Sequence, residues 1–300
     1  MTTTEKLSAT HDELVKAVGA LVSGEDWRAM LDVAKRFHTY SANNVLLICA
    51  QRPDATRVAG YTTWKRLGRQ VRKGEHGIAI LAPIVTRTNG EHKTDVSTDT
   101  EVVTAADGER APRHAERVLR GFRVAHVFDV SQTDGEPLAD ITPVPLEGAA
   151  PGAVFDALAR LLERSGYTLL RADCSPANGK THFLSRTVVV RRDLSPAQAL
   201  KTLAHEVAHT MLHDGSEYGA GCRGVAEVEA ESVAYLVCGA VRLRSDIYSF
   251  PYVARWAEGN LEVVQRCATR VVSCARRLTD AIEADLGIEV PTELVGAESS

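Results

Sequence analysis

No stretch of this 300-residue chain is apolar for long enough to cross a membrane. Its apolar runs are short, such as Val45-Leu46-Leu47-Ile48, whereas a spanning helix needs about 20 apolar residues. The first residues, Met1-Thr2-Thr3-Thr4-Glu5-Lys6, lack the basic-then-apolar layout of a secretory leader. The expected compartment is therefore the cytoplasm, with no membrane partner. The six cysteines show no CxxC spacing, so they read as reduced thiols, mostly in cores. Cys267 and Cys274, seven apart, suit one packed helix face better than a redox pair. Internal repeats are absent. A net charge of −4 excludes a generally basic nucleic-acid-binding chain.

The charge that is present is uneven. Residues 1–130 carry a net +3 and residues 131–300 a net −7. Arg57, Lys65, Arg66, Arg69, Arg72 and Lys73 follow one another with no acid between Ala55 and Gly74. A cationic surface in front of an acidic second half implies two tasks in one chain. At 44% hydrophobic residues, the chain has ample material for a core.

Periodicity predicts helix over 9–39, interrupted near Ser23-Gly24, and a second helix from Ser41 or Asn43 toward Gln51, stopped by Pro53. Tyr61–Gly68 reads as a short helix, and Gly77–Pro83 and Gly121–Val130 as strands. Thr86 to about Arg117 is polar and reads as a long surface loop, partly disordered. Four prolines between Asp134 and Gly152 mark a linker. Beyond it, Val154–Ser165 is helical and Tyr167–Leu170 and Thr187–Arg191 are strands. Ser195-Pro196 then opens a helix as cap and first-turn proline. Further helices cover about 225–240 and 261–286. The expected class is α+β, divided into 1–133, a linker at 134–152, a second domain at 153–287 and a disordered tail at 288–300.

The helix opened by Ser195 carries His205-Glu206-Val207-Ala208-His209. Histidines at i and i+4 share a helix face, close enough for both imidazoles to reach one ion. Glu206 is rotated by about 100° from His205, where it can face a metal-bound water. Leu200, Leu203, Ala204, Val207 and Met211 form the opposite apolar stripe. His213 lies about 12 Å along the axis from His205 and is a neighbour, not a ligand. Gly215 and Leu212 occupy the positions that HExxHxxGxxH enzymes fill with His and Gly, which excludes that class.

A catalytic zinc needs a third protein ligand and keeps its fourth position for water. The acidic helix Ala226–Tyr235 offers Glu227, Glu229 and Glu231. Glu227 and Glu231 share the face expected to be wet, whereas Glu229 groups with Val225, Val228, Ser232, Val233 and Leu236. A carboxylate on an apolar face needs a cation, so Glu229 is the expected third ligand. One Zn2+ per chain, held by His205, His209 and Glu229, would lower the pKa of its bound water, with Glu206 as general base. A structural zinc, with Cys222 as the nearest fourth ligand, is the competing reading.

His205–His209 followed by Val228-Glu229-Ala230-Glu231-Ser232-Val233-Ala234-Tyr235 resembles the ImmA/IrrE family of zinc metallopeptidases. That resemblance implies a minimal gluzincin-like, zincin fold with a helical C-terminal tail, and it too points to Glu229, the Glu before Ala, as third ligand. The stretches Tyr40-Ser41-Ala42-Asn43-Asn44, Gln51-Arg52-Pro53, Gly60–Arg69, Lys73-Gly74-Glu75 and Val127–Thr133 resemble the ArdC antirestriction family. This implies an N-terminal domain that binds single-stranded DNA, carried on mobile elements. The side chains suited to it are the cationic and aromatic Tyr40, Tyr61, Trp64, Lys65, Arg66, Arg69, Arg72 and Lys73, with Asn44 from the Tyr40–Asn44 stretch. The expected function is a single-stranded DNA-binding metallopeptidase acting on an unidentified protein substrate. The alternative is a non-proteolytic protector whose second domain is a metal-stabilised scaffold.

Overall fold

The computed structural model describes residues 2–88, 116–136, 151–213, 223–241, 243 and 260–288. Three helices open the chain, each with a side-chain cap: α1 (Thr3–Gly19), α2 (Gly24–Arg36) and α3 (Ala42–Gln51). The interruption expected near Ser23 is a new helix start. Ser23 accepts from Asp26 N while the Asp26 carboxylate accepts from Ser23 N, a closed capping box. Trp27, Met30, Leu31 and Ala34 then repeat at helical spacing and are buried.

After β1 (Val58–Gly60), α4 (Tyr61–Arg66) and β2 (Arg69–Val71), a long antiparallel ribbon forms from β3 (Ile78–Thr88) and β4 (Glu116–Asp129). Its register runs from Ile78 opposite Val127 to Thr88 opposite Glu116, with a bulge between Ile84 and Val85. Both strands outrun the expected lengths, while residues 89–115 of the expected loop lie outside the described residues. β1 pairs with the other edge of β4. The free edge of β3 is closed by side chains of α3. The Asn44 amide donates to Leu81 O and accepts from Leu81 N, and the Gln51 amide does the same at Ala79. Asp129 ends β4, caps the 3-10 turn Val130–Gln132 and accepts from Thr56 N and Arg57 N. β5 (Thr133–Gly135) pairs with β2.

The second half begins with α5 (Pro151–Arg164) and a sheet of β6 (Thr168–Ala172), β7 (Gly179–His182) and β8 (Thr187–Arg191). The strand order is β6-β8-β7, parallel then antiparallel, which leaves β7 at the edge. Among the described residues, three helices follow: α6 (Pro196–Leu212), α7 (Arg223–Ala240) and α8 (Leu261–Leu286). The class is α+β. Among the described residues no helix is long and apolar enough to cross a membrane.

One hydrophobic core runs from Leu14 to Ile282. Trp27 of α2 donates to Ser232 Oγ of α7 at 2.9 Å, and Tyr235 of α7 donates to Asp32 at 2.6 Å. Lys35 Nζ lies 3.3 Å from the centre of the Tyr235 ring. The long final helix reaches the same N-terminal segment, where Arg276 donates to Thr39 O and Gln265 to Asn43 Oδ1.

Candidate metal centre

Ser195 Oγ accepts from Gln198 N and Pro196 fills the first turn, so α6 starts where the sequence indicates. Its buried stripe of Leu200, Leu203, Ala204, Val207 and Ala208 anchors the helix and turns His205 and His209 toward α7. Their Nε2 atoms are 3.0 Å apart. Glu227, from the first turns of α7, places one carboxylate oxygen 3.4 Å from His205 Nε2 and the other 3.8 Å from His209 Nε2. Among the described residues, His205, His209 and Glu227 form the group whose donor atoms lie within 4.8 Å of one another.

Two imidazoles and a carboxylate converging in this way suit a divalent metal ion. Burial favours neutral His205, but the Glu227 and Glu231 carboxylates outweigh it and push His205 up to about 9. Burial and the neighbouring His205 push His209 down to about 3.

Glu206 faces β7. Thr181 Oγ1 donates to its Oε2 at 2.7 Å, and burial raises its pKa above the usual carboxylate value. Gly179, on the same strand, lets the two elements approach. A Cβ there would lie 2.7 Å from Glu206 Oε1 and 2.6 Å from Thr202 Cγ2.

Glu229, the expected third ligand, is not brought to the histidine pair. Its carboxylate is buried, with Oε2 3.0 Å from His213 Nε2 and Oε1 3.1 Å from Arg270 Nε of α8. Glu229 is buried on the apolar face of α7, and the cation beside its carboxylate is the Arg270 guanidinium. Glu227 and Glu231 repeat on α7 the i, i+4 spacing of His205 and His209 on α6. Glu231 Oε2 lies 3.2 Å from His205 Nδ1, and Lys201 Nζ lies 3.0 Å from Glu231 Oε1. Burial opposes ionisation of Glu231, yet His205 and Lys201 hold it below the usual carboxylate range. His213 is buried beside His209, with the Nδ1 atoms 3.0 Å apart. Cys222 lies outside the described residues.

Several of the side chains expected at DNA have partners within the fold. Tyr40 is buried with its hydroxyl on Val58 O, Asn44 closes the β3 edge, and Trp64 is 1% exposed and donates to Phe128 O. Arg69 is held by Thr133, and Arg72 by Glu75 and Ser131 O. Tyr61, Lys65, Arg66 and Lys73 remain at the surface. Phe122 is half-exposed on β4 next to exposed Arg123.

Comparison with known proteins falls on the same two halves. Residues 5–128 match the family described as the N-terminal domain of anti-restriction factor ArdC. Residues 162–238 match the IrrE N-terminal-like domain. An uncharacterized protein of Bacillus anthracis, pXO2-81, is 23% identical over 277 residues, covering 81% of this chain. The chain spans only 45% of that relative's length. The crystal structure of the metal-free antirestriction ArdC protein from plasmid R388 is 18% identical, with a TM-score of 0.48 over 84% of this chain and 87% of that one. Its Mn(II)-bound form is 20% identical, with a TM-score of 0.47 over 82% and 84%.

Proposed function

For what the two family matches make an ArdC-like antirestriction protein with a C-terminal IrrE-like domain, we propose a zinc-dependent peptide-bond hydrolase localised by single-stranded DNA in the cytoplasm. Residues 1–133 would serve the DNA and residues 153–287 the hydrolysis. The observation that carries the reading is the convergence of His205, His209 and Glu227 beside a buried Glu206. Bound zinc would supply Lewis acidity and a lowered pKa for water. His205, His209 and Glu227 would hold it. Glu206, fixed by Thr181, would take a proton from the attacking water and return it to the leaving amine. The test is zinc content after gel filtration. The wild type should hold one zinc per chain and Glu227→Ala none. One zinc retained by Glu227→Ala would place the third ligand elsewhere.

The DNA half is supported by the net +3 of residues 1–130 and by exposed Tyr61, Lys65, Arg66 and Lys73. Three phosphate contacts give a salt slope of about −2 for a single strand, so raising salt fourfold should weaken binding about twentyfold. Fluorescence anisotropy of an oligothymidine with the full chain measures this. Salt-insensitive binding, or none, removes the DNA role.

A further inference from the structure

Resting on the single-stranded DNA reading above, we propose that the outward face of the β3–β4 ribbon is the platform on which the bases stack, with Phe122, His126 and Phe128 taking bases and Arg120 and Arg123 phosphates. The register sorts the two faces of the ribbon. Ile78 opposite Val127 and Ile80 opposite Ala125 belong to the side that meets the core, where Ile78, Ile80 and Val127 are buried. Side chains alternate along a strand, so Ala79 opposite His126, Leu81 opposite Val124 and Pro83 opposite Phe122 form the other side.

A bulge extends that side. Ile84 pairs with Gly121 and Val85 with Leu119, so Arg120 is an extra residue in β4. Leu119 and Phe122 are three apart and would point to opposite faces of a regular strand. The extra residue sets them opposite positions 85 and 83, which share a face. The outward row on β4 therefore reads Leu119, Phe122, Val124, His126, Phe128. Leu119 is 56% exposed and Phe122 50%, His126 is exposed, and Val124 and Phe128 are half-buried. Gly77 lies against the end of this row. A Cβ there would come within 2.9 Å of His126 Cβ and 3.0 Å of Phe128 Cζ, so any larger residue would crowd both rings.

Charge decides what such a face binds. Residues 76–88 and 117–128 contain four arginines, Arg87, Arg117, Arg120 and Arg123, and no Asp or Glu, in a chain of net charge −4. Arg120 and Arg123 are exposed on either side of Phe122 in the sequence. An exposed apolar row alone would suit a protein partner. Rings set in a wholly cationic ribbon suit a polyanion whose repeating units carry π-faces. Stacking accepts every base but needs it unpaired, so the ribbon reads strandedness and not sequence.

Fluorescence anisotropy of a labelled oligothymidine with the full-length chain tests the platform. Phe122→Ala should weaken binding about 5–150-fold, the range for losing one base–aromatic stack, and leave the salt slope unchanged. Phe122→Leu keeps the apolar surface and loses the ring, so it should weaken binding similarly, whereas Phe122→Tyr should bind as wild type. Arg123→Gln should make the salt slope shallower by about 0.7, one phosphate contact on a single strand. Wild-type affinity in Phe122→Leu overturns the stacking role. Unchanged binding by Phe122→Ala, with binding lost in Lys65→Ala and Arg66→Ala, moves the strand to α4 and overturns the platform alone. A wild type that binds no oligothymidine overturns the DNA reading and the platform with it. A wild-type dimer in gel filtration that Phe122→Ala dissolves, with DNA binding unaltered, gives the face to a second copy and overturns the platform. One readout needs no variant: photocrosslinks from an iodouracil-substituted oligonucleotide to the wild type, mapped by mass spectrometry, should fall within residues 117–128. Crosslinks confined to residues 61–73 overturn the platform.

Discussion

Glu206→Gln is expected to keep its zinc and to lose hydrolysis by a factor of about 10²–10⁴, the range for removing a general base, or roughly 3–5 kcal/mol of barrier. The side chain is buried, receives the Thr181 hydroxyl at 2.7 Å, and packs so closely on Gly179 that no Cβ fits between them. A glutamine has the same shape and can keep the Thr181 contact, so the fold and the ligand set are preserved. It cannot accept a proton, so the chemical step alone is removed. Two measurements decide the matter together: zinc per chain, and protection of unmodified plasmid DNA entering a restricting host. Zinc retained with protection lost supports a hydrolase. Full protection by Glu206→Gln would sink the peptidase reading and leave a DNA-binding protector with a metal-stabilised scaffold.

The difference between what the sequence tells about Glu206 and about Glu229 is instructive. Position on α6 was legible because local rules suffice for a capped helix. Ser195 and Pro196 set its start, and a period of 3.6 puts His205 and His209 on one face. The third ligand depends on how α7 lies against α6, and no local rule supplies that. A buried carboxylate needs a cation, but the sequence could not say that Arg270, 41 positions downstream, would provide it. β7 escaped notice for a related reason. Gly-Lys-Thr-His is short and has no apolar alternation, yet it supplies Thr181 to Glu206. In the N-terminal half, aromatic and amide side chains such as Trp64 and Asn44 look alike in sequence whether they face DNA or their own backbone. Both turn out to satisfy main-chain groups of the β3–β4 ribbon.

Trp27→Ala should destabilise the whole chain by about 3–5 kcal/mol, the usual cost of emptying a buried aromatic site. Trp27 is fully buried on α2, and its indole donates to Ser232 Oγ, itself fully buried on α7 between Glu231 and Val233. The substitution opens a cavity and strands a hydroxyl, which adds to the cost. It also loosens the helix that holds the three glutamates in register, so zinc affinity should fall although Trp27 touches no ligand. Because zinc bound only to the folded state raises stability by mass action, the comparison belongs in metal-saturated and chelated samples alike. Urea unfolding followed by far-UV circular dichroism measures the shift. The variant should unfold in one transition at lower urea, since α2, α7 and α8 share a single core. Two separated transitions, with zinc retained through the first, would mean that the N-terminal helices detach without disturbing α7, and that DNA bound by one half has no mechanical route to the metal centre in the other.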